Sequence, residues 1–570
     1  MNSVSPPRSA RSTAWRWHTP SLGLPFVALL LVGFAALLTL VFVSRLPVGL
    51  WEDGYFGKRF AYNFWEHGSF SWNRTDGPIY GMTSQTLQLL GTALYVAAPH
   101  HYVVNLKAAL TAAPLFTLPL LWWLAAPLQD PARAPEDRVA LLPWVVGLAL
   151  VPVLELMLLG LESTLSLPVV TLSLALVLRP RRGRWDLVWI VLSILGVYAT
   201  RPDAVLIPLC VLGGLWLLEL TRGRTTPLAE RWARALPLSA ALFGVVAGLA
   251  VLLTAFHHYY GTALPLPFYV KTMGITVQPE EYLDFFRVEK TENALRMAFL
   301  CFPFVYIALH ARTRSVLLLL TAAGVFCAYH YAATIEIMGY FSRFYLPALA
   351  PILAAAGLGQ RSYQEQRRWW LSACVFALYC GVFVAFTYID TTLHIRIMPE
   401  PTHYLPAIAA SGVLLLGPAR FNPVNALALL ACLLVGGAVQ YPVSSLKIED
   451  DETILLRQIA PRNVFRGLEQ LREKLKPSVI YHTDMGAPGM LFPEAKVVDL
   501  DGLLNEDITL HGKHFEELCN ADQPEAIFVP NAGYERLRNE ILESQCIQGY
   551  EAVTSGSAPL HIRRDLLGRY

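Results

Sequence analysis

Long apolar runs constrain the fold of this chain more than any other feature of its sequence. A helix needs about 20 apolar residues to cross the hydrocarbon core of a bilayer. Only 15% of the 570 residues are charged, against about 25% in an ordinary soluble domain. We therefore predict a mainly α-helical polytopic membrane protein with about thirteen spans, at residues 22–43, 102–124, 139–158, 164–178, 187–198, 204–220, 236–256, 294–310, 315–332, 344–358, 369–386, 405–416 and 424–439.

Basic residues predict how these spans are oriented, because cytoplasmic loops of membrane proteins carry an excess of Lys and Arg. The basic stretches are the N-terminus, with Arg8, Arg11 and Arg16, and the loops at 179–184, 221–234, 312–314 and 361–368. They share one face only if the helical run at 83–98 does not cross the membrane. We expect that run to lie in the interface, with Leu87, Leu90 and Leu94 inward and Gln85, Gln88 and Thr92 outward.

The chain divides into three parts. Residues 1–21 form a basic cytoplasmic N-terminus, residues 22–443 form the membrane domain, and its first outer loop covers 46–101. From residue 444 to 570 charges appear at ordinary density. Strand patterns at 478–481, 496–500 and 526–529, with helical patterns at 464–475, 513–519 and 534–544, predict a periplasmic α/β domain.

Eight cysteines are scattered along the chain without metal-binding spacing. Six lie in apolar runs and are expected to pack as small hydrophobic side chains. Cys519 and Cys546 lie in the C-terminal domain, where a disulfide between them is compatible with the sequence but needs a geometry that sequence does not supply.

Two adjacent carboxylates, Glu52 and Asp53, follow the first apolar run directly. Carboxylates are costly beside a bilayer, and two neighbours repel unless a cation or a substrate hydroxyl compensates. Such a setting suits a general base. The simpler interpretation is an acidic flank of a transmembrane helix. No cofactor is required by the sequence; a divalent cation at the pair is compatible with it.

Further motifs follow this pair along the chain. They are EDGYFGKRFAYN (52–63), GSFSWN (68–73), GMTS (81–84), GLES (160–163), RPD (201–203), LPLPFYVK (264–271), RFYLP (343–347), TDMGAPG (483–489) and VDLDGL (498–503). In this order they resemble the signature of a bacterial group within the C-type (GT-C) integral-membrane glycosyltransferases, to which mycobacterial cell-wall arabinofuranosyltransferases belong. Glu52, Tyr80 and Leu266 depart from the group's usual Asp, Glu and Asn, which leaves the sugar and the acceptor open.

The resemblance implies a GT-C membrane domain and an inverting transfer from a polyprenyl-phosphate-linked sugar to an envelope glycan, lipid or protein. An acidic residue of the first outer loop would deprotonate the acceptor, which implies Asp53 together with Glu52. The residues that would contact donor or acceptor are Arg59, Glu162, Arg201, Asp203, Tyr269, Lys271 and Arg343. The reaction would take place at the outer face of the bacterial inner membrane, where sugar nucleotides are absent; a nucleic-acid partner is not expected.

Simpler interpretations and a rival function stand beside this one. Lys271 and Arg343 could anchor helix ends at the interface, and Arg201 could merely pair with Asp203. The rival function is a transporter or flippase for lipid-linked glycans. It predicts paired ionisable residues at mid-membrane depth and inverted repeats, whereas Glu155 is the only clear carboxylate well within a predicted span and no repeat is evident.

Overall fold

The structure is a computed structural model, and it does not describe every residue. It describes residues 23–128, 141–179, 184–221, 227–273, 280–311, 313–334, 340–393, 397–398, 400–417, 423–443, 447–462, 465, 467–530, 534–555 and 558–570. Of Glu52 and Asp53 it describes the backbone. The predicted cytoplasmic segment 1–21 lies outside the described residues.

The part of the chain before residue 444 is helical. Its helices are α1 (Gly23–Ser44), α2 (Phe56–His67), α3 (Gln85–Ala97), α4 (Tyr102–Ala125), α5 (Leu141–Leu148), α6 (Val151–Leu158), α7 (Ser163–Val177), α8 (Arg184–Thr200), α9 (Leu206–Thr221), α10 (Leu228–Tyr260), α11 (Leu266–Phe268), α12 (Glu280–Ala308), α13 (Arg314–Ala333), α14 (Leu349–Gln366), α15 (Trp369–Leu393), α16 (Leu405–Leu416) and α17 (Pro423–Gln440). Each predicted span overlaps one of them, except that the span predicted at 139–158 is divided into α5 and α6. Within the described residues, five helices are long and apolar enough to cross a membrane alone. The chain is a multi-pass membrane protein.

The break between α5 and α6 has a local cause. Leu150 is extended, with φ −63° and ψ 144°, and Pro152 stands in the first turn of α6. Proline has no N–H to donate, and its ring clashes with the carbonyl four residues earlier. The helix therefore ends at Leu148 and starts again at Val151.

Exposed tryptophans mark one end of the helix bundle. They are Trp122 and Trp123 near the end of α4, Trp185 and Trp189 at the start of α8, Trp232 at the start of α10, and Trp369 and Trp370 at the start of α15. In the predicted topology, successive spans alternate in direction, so these positions share an end with the arginine-rich loops. Tryptophan is enriched at membrane–water interfaces, so this ring fits one edge of the bilayer.

The helix α3 differs in part from the predicted orientation: Leu87 is buried as expected, but two residues expected to face outward are buried as well. Gln88 and Thr92 are buried, together with Leu87, while Leu89 and Val96 are exposed. At 13 residues it is about 20 Å long, too short to cross a bilayer. The predicted outward polar face is wrong because a helix beside lipid turns its amides and hydroxyls toward the protein, where the hydroxyl of Thr92 donates to the carbonyl of Gln88.

The C-terminal part is a mixed α/β domain. Its elements are α18 (Asp451–Ile459), α19 (Leu468–Gln470), β1 (Val479–His482), α20 (Gly486–Leu491), β2 (Lys496–Asp499), α21 (Glu506–Thr509), α22 (Phe515–Asp522), β3 (Ala526–Phe528), α23 (Glu535–Glu543), β4 (Tyr550–Ala552) and β5 (Leu560–Arg563). The sheet order is β2-β1-β3-β5-β4, with β1 parallel to β2 and β3, and β5 antiparallel to β3 and β4. The three predicted strands are confirmed. Of the predicted helix at 464–475, the structure has α19 and a π-turn at Leu471–Leu475, while residues 464 and 466 lie outside the described residues.

A disulfide joins Cys519 in α22 to Cys546, which precedes β4. The two Cα atoms are 6.2 Å apart, within the normal range for a disulfide. The six other cysteines are free, as expected from their place in apolar runs.

The C-terminal domain and the first outer loop share one hydrophobic core. Tyr55, Phe60 and Trp72 of the loop are buried in the same cluster as Ile454 and Val497 of the domain. The domain is thus docked on the loop by apolar packing.

A buried carboxylate adds polar contacts to this docking. Asp451 of α18 pairs with Lys58 of the outer loop at 2.7 Å. It also accepts hydrogen bonds of 3.0 Å from the N–H groups of Tyr102 and Val103. These contacts hold α18 at the start of α4.

Candidate functional site

The acidic pair lies in a 3₁₀ turn, Glu52–Tyr55, that is seated on the turn after α6. The N–H of Trp51 donates to the carbonyl of Leu159 at 3.1 Å. A Cβ atom on Gly54 would lie 2.6 Å from that carbonyl oxygen, and one on Gly160 would lie 3.2 Å from the Gly54 Cα. Both glycines are needed for this approach, which places the backbone of Asp53 beside the GLES turn.

The GLES turn leads to a buried arginine. Arg201 donates from Nη1 to the hydroxyl of Ser163 at 3.3 Å and lies 4.0 Å from the carboxylate of Glu162. Its Nε atom donates to Asp203 at 3.1 Å. Arg201 is only 4% exposed, so its charge is compensated by two carboxylates rather than by water. The sequence prediction that Glu162, Arg201 and Asp203 belong to one site is consistent with this geometry.

Three cationic side chains surround the ring of Phe344. The guanidinium carbons of Arg201 and Arg343 lie 5.4 and 5.1 Å from the ring centroid, and Nζ of Lys271 lies 5.6 Å from it. Each distance is within the range of cation–π attraction. We call this group, formed by Arg201, Lys271 and Arg343 around Phe344, the cation cluster. Three side chains from distant parts of the chain thus converge on one ring.

Strained backbone precedes Arg343. Phe341 and Ser342 have positive φ values of 50° and 59°, a left-handed conformation that is unfavourable for residues other than glycine. Asn293 on α12 holds the segment, since its carbonyl accepts from the Ser342 hydroxyl at 2.9 Å and its side-chain oxygen accepts from the Ser342 N–H at 3.3 Å. The strain is therefore supported by a neighbouring helix at the point where Arg343 is presented.

Lys271 is carried by a π-helical turn, Tyr269–Met273. The Tyr269 hydroxyl lies 3.0 Å from Thr262 Oγ1, which ties the turn to the end of α10. Just before it, the N–H of Leu266 donates to the carbonyl of Tyr80 in the first outer loop at 2.8 Å. Tyr269 therefore helps to hold the turn, and the loop that carries Lys271 is anchored to the loop that carries the acidic pair.

Arg59 has a different role from the one predicted. Its Nε and two terminal nitrogens donate to Trp72 O, Gly489 O, Phe492 O, Ala495 O and Asn73 Oδ1, at 2.6 to 3.0 Å. These five acceptors use all five N–H groups that a guanidinium has. Burial lowers the pKa of Arg59 to about 9, which still leaves it cationic at neutral pH. The predicted contact of Arg59 with a donor phosphate is not supported, because no N–H group remains for it.

The C-terminal domain closes one side of the acidic turn. The short helix α20, which carries the TDMGAPG motif, packs against Glu52–Tyr55. Leu504, just after the VDLDGL motif, packs so closely on Gly81 that a Cβ atom there would overlap it. Both tail motifs therefore contact the first outer loop.

Three residues of this region were not singled out from the sequence. His330 on α13 contacts Asp203 at 2.6 Å, Asn293 supports the segment before Arg343, and Asp451 docks the C-terminal domain. His330 is an isolated polar residue in an apolar helix, whereas Asn293 and Asp451 lie among other polar and charged residues. In neither setting does local spacing distinguish such a residue from an ordinary structural one. Among the described residues, no group of three or more His, Cys, Asp or Glu side chains is arranged to hold a metal ion; the side chains of Glu52 and Asp53 are outside that statement.

The site combines groups suited to an anion with the backbone of an acidic turn. Arginine and lysine bind phosphate through charge-assisted hydrogen bonds. A nearby carboxylate can accept a proton from a hydroxyl. The path between them is short: Gly54 contacts Gly160, and two residues later Glu162 and Ser163 contact Arg201 of the cation cluster.

The many-span helical domain, the outer loop with its acidic turn and the C-terminal α/β sheet together define a membrane protein of the GT-C architecture. Two solved structures of ArnT from Cupriavidus metallidurans are similar to the chain, one in the apo state and one bound to undecaprenyl phosphate. The apo structure is 16% identical to this chain and the bound structure 17%, and each has a TM-score of 0.51. Each alignment covers 94% of this chain and 97% of the ArnT chain. No protein-family model matches the chain, and no curated protein matches it.

Proposed function

We propose that the chain is an inverting glycosyltransferase that moves a sugar from a polyprenyl-phosphate donor to an envelope glycan, lipid or protein. The observation that carries the proposal is the cation cluster around Phe344, joined through Arg201 and Glu162 to the turn of the acidic pair. The likeness to ArnT adds support, because one of the ArnT structures holds undecaprenyl phosphate. The motif resemblance favours the arabinofuranosyltransferase-like group of these enzymes.

In the proposed reaction, the carboxylate of Asp53, assisted by Glu52, takes the proton from an acceptor hydroxyl. The hydroxyl oxygen forms a bond to the anomeric carbon of the sugar while the bond from that carbon to the phosphate oxygen breaks. Polyprenyl phosphate leaves with an additional negative charge, which Lys271, Arg343 and Arg201 stabilise. Attack opposite to the leaving group inverts the anomeric centre.

The orientation belongs to the same proposal: the N-terminus is cytoplasmic, and the site and the C-terminal domain are periplasmic. In this orientation the exposed tryptophans and the arginine-rich loops share one end of the bundle, and the positive-inside tendency favours the cytoplasm for that end. The Cys519–Cys546 disulfide supports the periplasm for the C-terminal domain, because disulfides persist in oxidising compartments.

The transporter alternative has less support. Glu155, the carboxylate within a predicted span, accepts a 2.8 Å hydrogen bond from the Tyr441 hydroxyl and lies 3.6 Å from Arg45. These contacts give it structural partners near the ends of α17 and α1. We therefore expect no flipping of a lipid-linked glycan by the reconstituted protein in the absence of a glycosidic product.

The test is transfer in reconstituted vesicles supplied with a panel of undecaprenyl-phosphate-linked pentoses and hexoses and with host envelope acceptors. Asp53→Asn should lower the rate by about 10³-fold, within the usual contribution of a general base, and Glu52→Gln should lower it less. Glu66→Gln is the matched control, because Glu66 is an exposed carboxylate on the same outer loop. Full activity of folded Asp53→Asn would rule out this assignment, whereas loss caused by Glu66→Gln would show that the effect is not specific.

A further inference from the structure

His330 lies buried near the C-terminal end of α13, and it contacts the site from outside the motifs. The residue is 2% exposed. Nε2 lies 2.6 Å from Asp203 Oδ2, and Nδ1 lies 3.2 Å from Thr334 Oγ1. The ring also packs against Phe326 and lies 5.8 Å from the ring of Phe344.

The contact between His330 and Asp203 has a defined direction. An ionised carboxylate can only accept a hydrogen bond, so the Nε2 atom of His330 is protonated and its N–H group donates a hydrogen bond to Asp203. On its other side Asp203 accepts from Nε of Arg201, at 3.1 Å to Oδ1 and 3.2 Å to Oδ2. Asp203 is therefore held from two directions. One partner is His330, on a helix more than a hundred residues later in the chain, and the other is Arg201 in the same turn.

Arg201 passes this constraint on to the cation cluster. Its Nη1 atom donates to the backbone carbonyl of Arg343 at 2.8 Å, and its guanidinium lies over the ring of Phe344. With Arg201 as its one partner, the carboxylate of Asp203 could still turn about its side-chain bonds and change the position of the guanidinium. A second partner on that carboxylate removes this freedom.

We propose that His330 is a positioning residue: by fixing Asp203 it orients Arg201 toward the Arg343–Phe344 backbone and keeps the cation cluster arranged to receive a phosphate. The inference rests on the proposed function for the identity of the anion. It adds a residue that touches neither the donor nor the acceptor and acts through two others.

The experiment measures binding of undecaprenyl phosphate to the full-length protein in lipid nanodiscs. His330→Ala should weaken binding about 10-fold, the effect of losing one charge-assisted hydrogen bond. His330→Gln should restore binding to within about threefold, because the glutamine amide can donate to Asp203 from nearly the position of Nε2. His310→Ala is the matched control, since His310 bonds to the carbonyl of Tyr306 at the far end of α12, and it should bind like the wild type.

A rescue by glutamine separates positioning from a general structural role, and thermal unfolding of each variant identifies any that does not fold. If His330→Ala does not fold, the comparison of His330→Gln with wild type decides, and binding within about threefold is expected. The proposal is overturned if folded His330→Ala binds as tightly as the wild type while Arg201→Lys binds weakly, or if folded His330→Gln binds as weakly as the alanine variant. If Arg201→Lys and Lys271→Ala both bind like the wild type, the phosphate site itself is wrong, and the proposed function loses its support together with this inference.

Discussion

The Nη1 atom of Arg201 donates a 2.8 Å hydrogen bond to the backbone carbonyl of Arg343, which lies 142 residues further along the chain. The side chain of Arg201 therefore fixes the position of the Arg343 backbone. The bond also brings the RPD and RFYLP motifs together, although nothing in either motif indicates that the two are in contact.

Replacing Arg201 by lysine should lower both transfer and undecaprenyl phosphate binding, by about 10² in transfer rate. Lysine keeps the charge, but it cannot donate at once to Asp203, Ser163 and the Arg343 carbonyl, because its donors radiate from one atom. Arg179→Lys is the matched control, since Arg179 forms a partly exposed ion pair with Asp186 in an arginine-rich loop. Wild-type transfer and binding by Arg201→Lys would show that charge alone is sufficient.

The contact between the acidic turn and the GLES turn can be tested by substituting Gly160. Gly160 has a φ of +81° and lies against the Gly54 Cα, whereas Gly68 has a φ of +74° with open space around it. Alanine at Gly68 should cost about 1 kcal/mol for the left-handed backbone alone. Alanine at Gly160 should cost about 2–4 kcal/mol, because it adds crowding to the same strain, and it should also lower transfer.

The measurement is the midpoint of thermal unfolding of the two glycine variants, followed by their transfer rates. Equal shifts for Gly160→Ala and Gly68→Ala would mean that the acidic turn does not rest on the GLES turn as described.

Arg59 offers a test of the docking between the outer loop and the C-terminal domain. Arg59→Lys should destabilise the protein by about 3–5 kcal/mol, because it leaves carbonyl groups buried without donors. Arg74→Lys, which alters an exposed ion pair with Glu494, should change stability by less than about 1 kcal/mol. Hydrogen exchange of residues 489–495 should accelerate in the first variant and stay unchanged in the second.

If Arg59 bound the donor phosphate instead, Arg59→Lys would raise the dissociation constant for undecaprenyl phosphate and leave hydrogen exchange at 489–495 as in the wild type. The two outcomes separate the predicted role from the one that the contacts favour.

The Cys519–Cys546 disulfide joins residues that are 27 positions apart in the sequence. Replacing both cysteines by serine should lower the stability of the C-terminal domain by about 3 kcal/mol, the usual effect for a loop of this length. Cys374→Ser, at an exposed free cysteine, should have no such effect. Hydrogen exchange in α22 and β3 reports the change, and unaltered protection in the double variant would contradict it.

The raised pKa of Asp499 predicts how the stability of the C-terminal domain depends on pH. Burial, followed by the nearby charge of Asp501, raises the pKa of Asp499 to about 8, although the N–H groups of Asp501 and Leu504 donate to it. In an unfolded chain the pKa of aspartate is about 3.9. Between these values the folded state binds more protons, so the stability of the domain falls as the pH rises from about 4 to about 8.

The unfolding midpoint of the domain should accordingly be lower at pH 8 than at pH 5, and Asp499→Asn should reduce the difference. Asp565→Asn is the control, because the pairing with Arg563 lowers the pKa of the exposed Asp565 and it stays ionised over this range. The same pH dependence in wild type and Asp499→Asn would contradict the assignment.

Much of the fold could be predicted from the sequence because the strongest signals in it are local. A span is an apolar run of a given length, and the strands Val479–His482, Lys496–Asp499 and Ala526–Phe528 are apolar runs that begin within a residue of their predicted positions. The strands Tyr550–Ala552 and Leu560–Arg563 were missed, since short antiparallel strands that alternate with charged residues do not differ from loops in composition. The burial of Gln88 and Thr92 in α3 was missed because the environment of the helix, not its periodicity, decides whether these residues are buried.

The site was predictable only in part, for a physical reason. The resemblance of the motifs to the GT-C group indicated Glu162, Arg201, Lys271 and Arg343, and the structure brings these four together around Phe344 and its neighbours. It could not distinguish Arg59, whose charge is satisfied by carbonyl groups of a domain more than 400 residues away. His330 was missed for the same reason, since its partner is far away in sequence.

The core shared by the first outer loop and the C-terminal domain has a consequence for how the protein could work and how it could be divided. A chain truncated before Asp451 would leave Tyr55, Phe60 and Trp72 facing water, so the loop bearing the acidic pair would lose its shape along with the domain. The C-terminal domain is thus part of the proposed site, and it cannot separate from the first outer loop without disrupting that site.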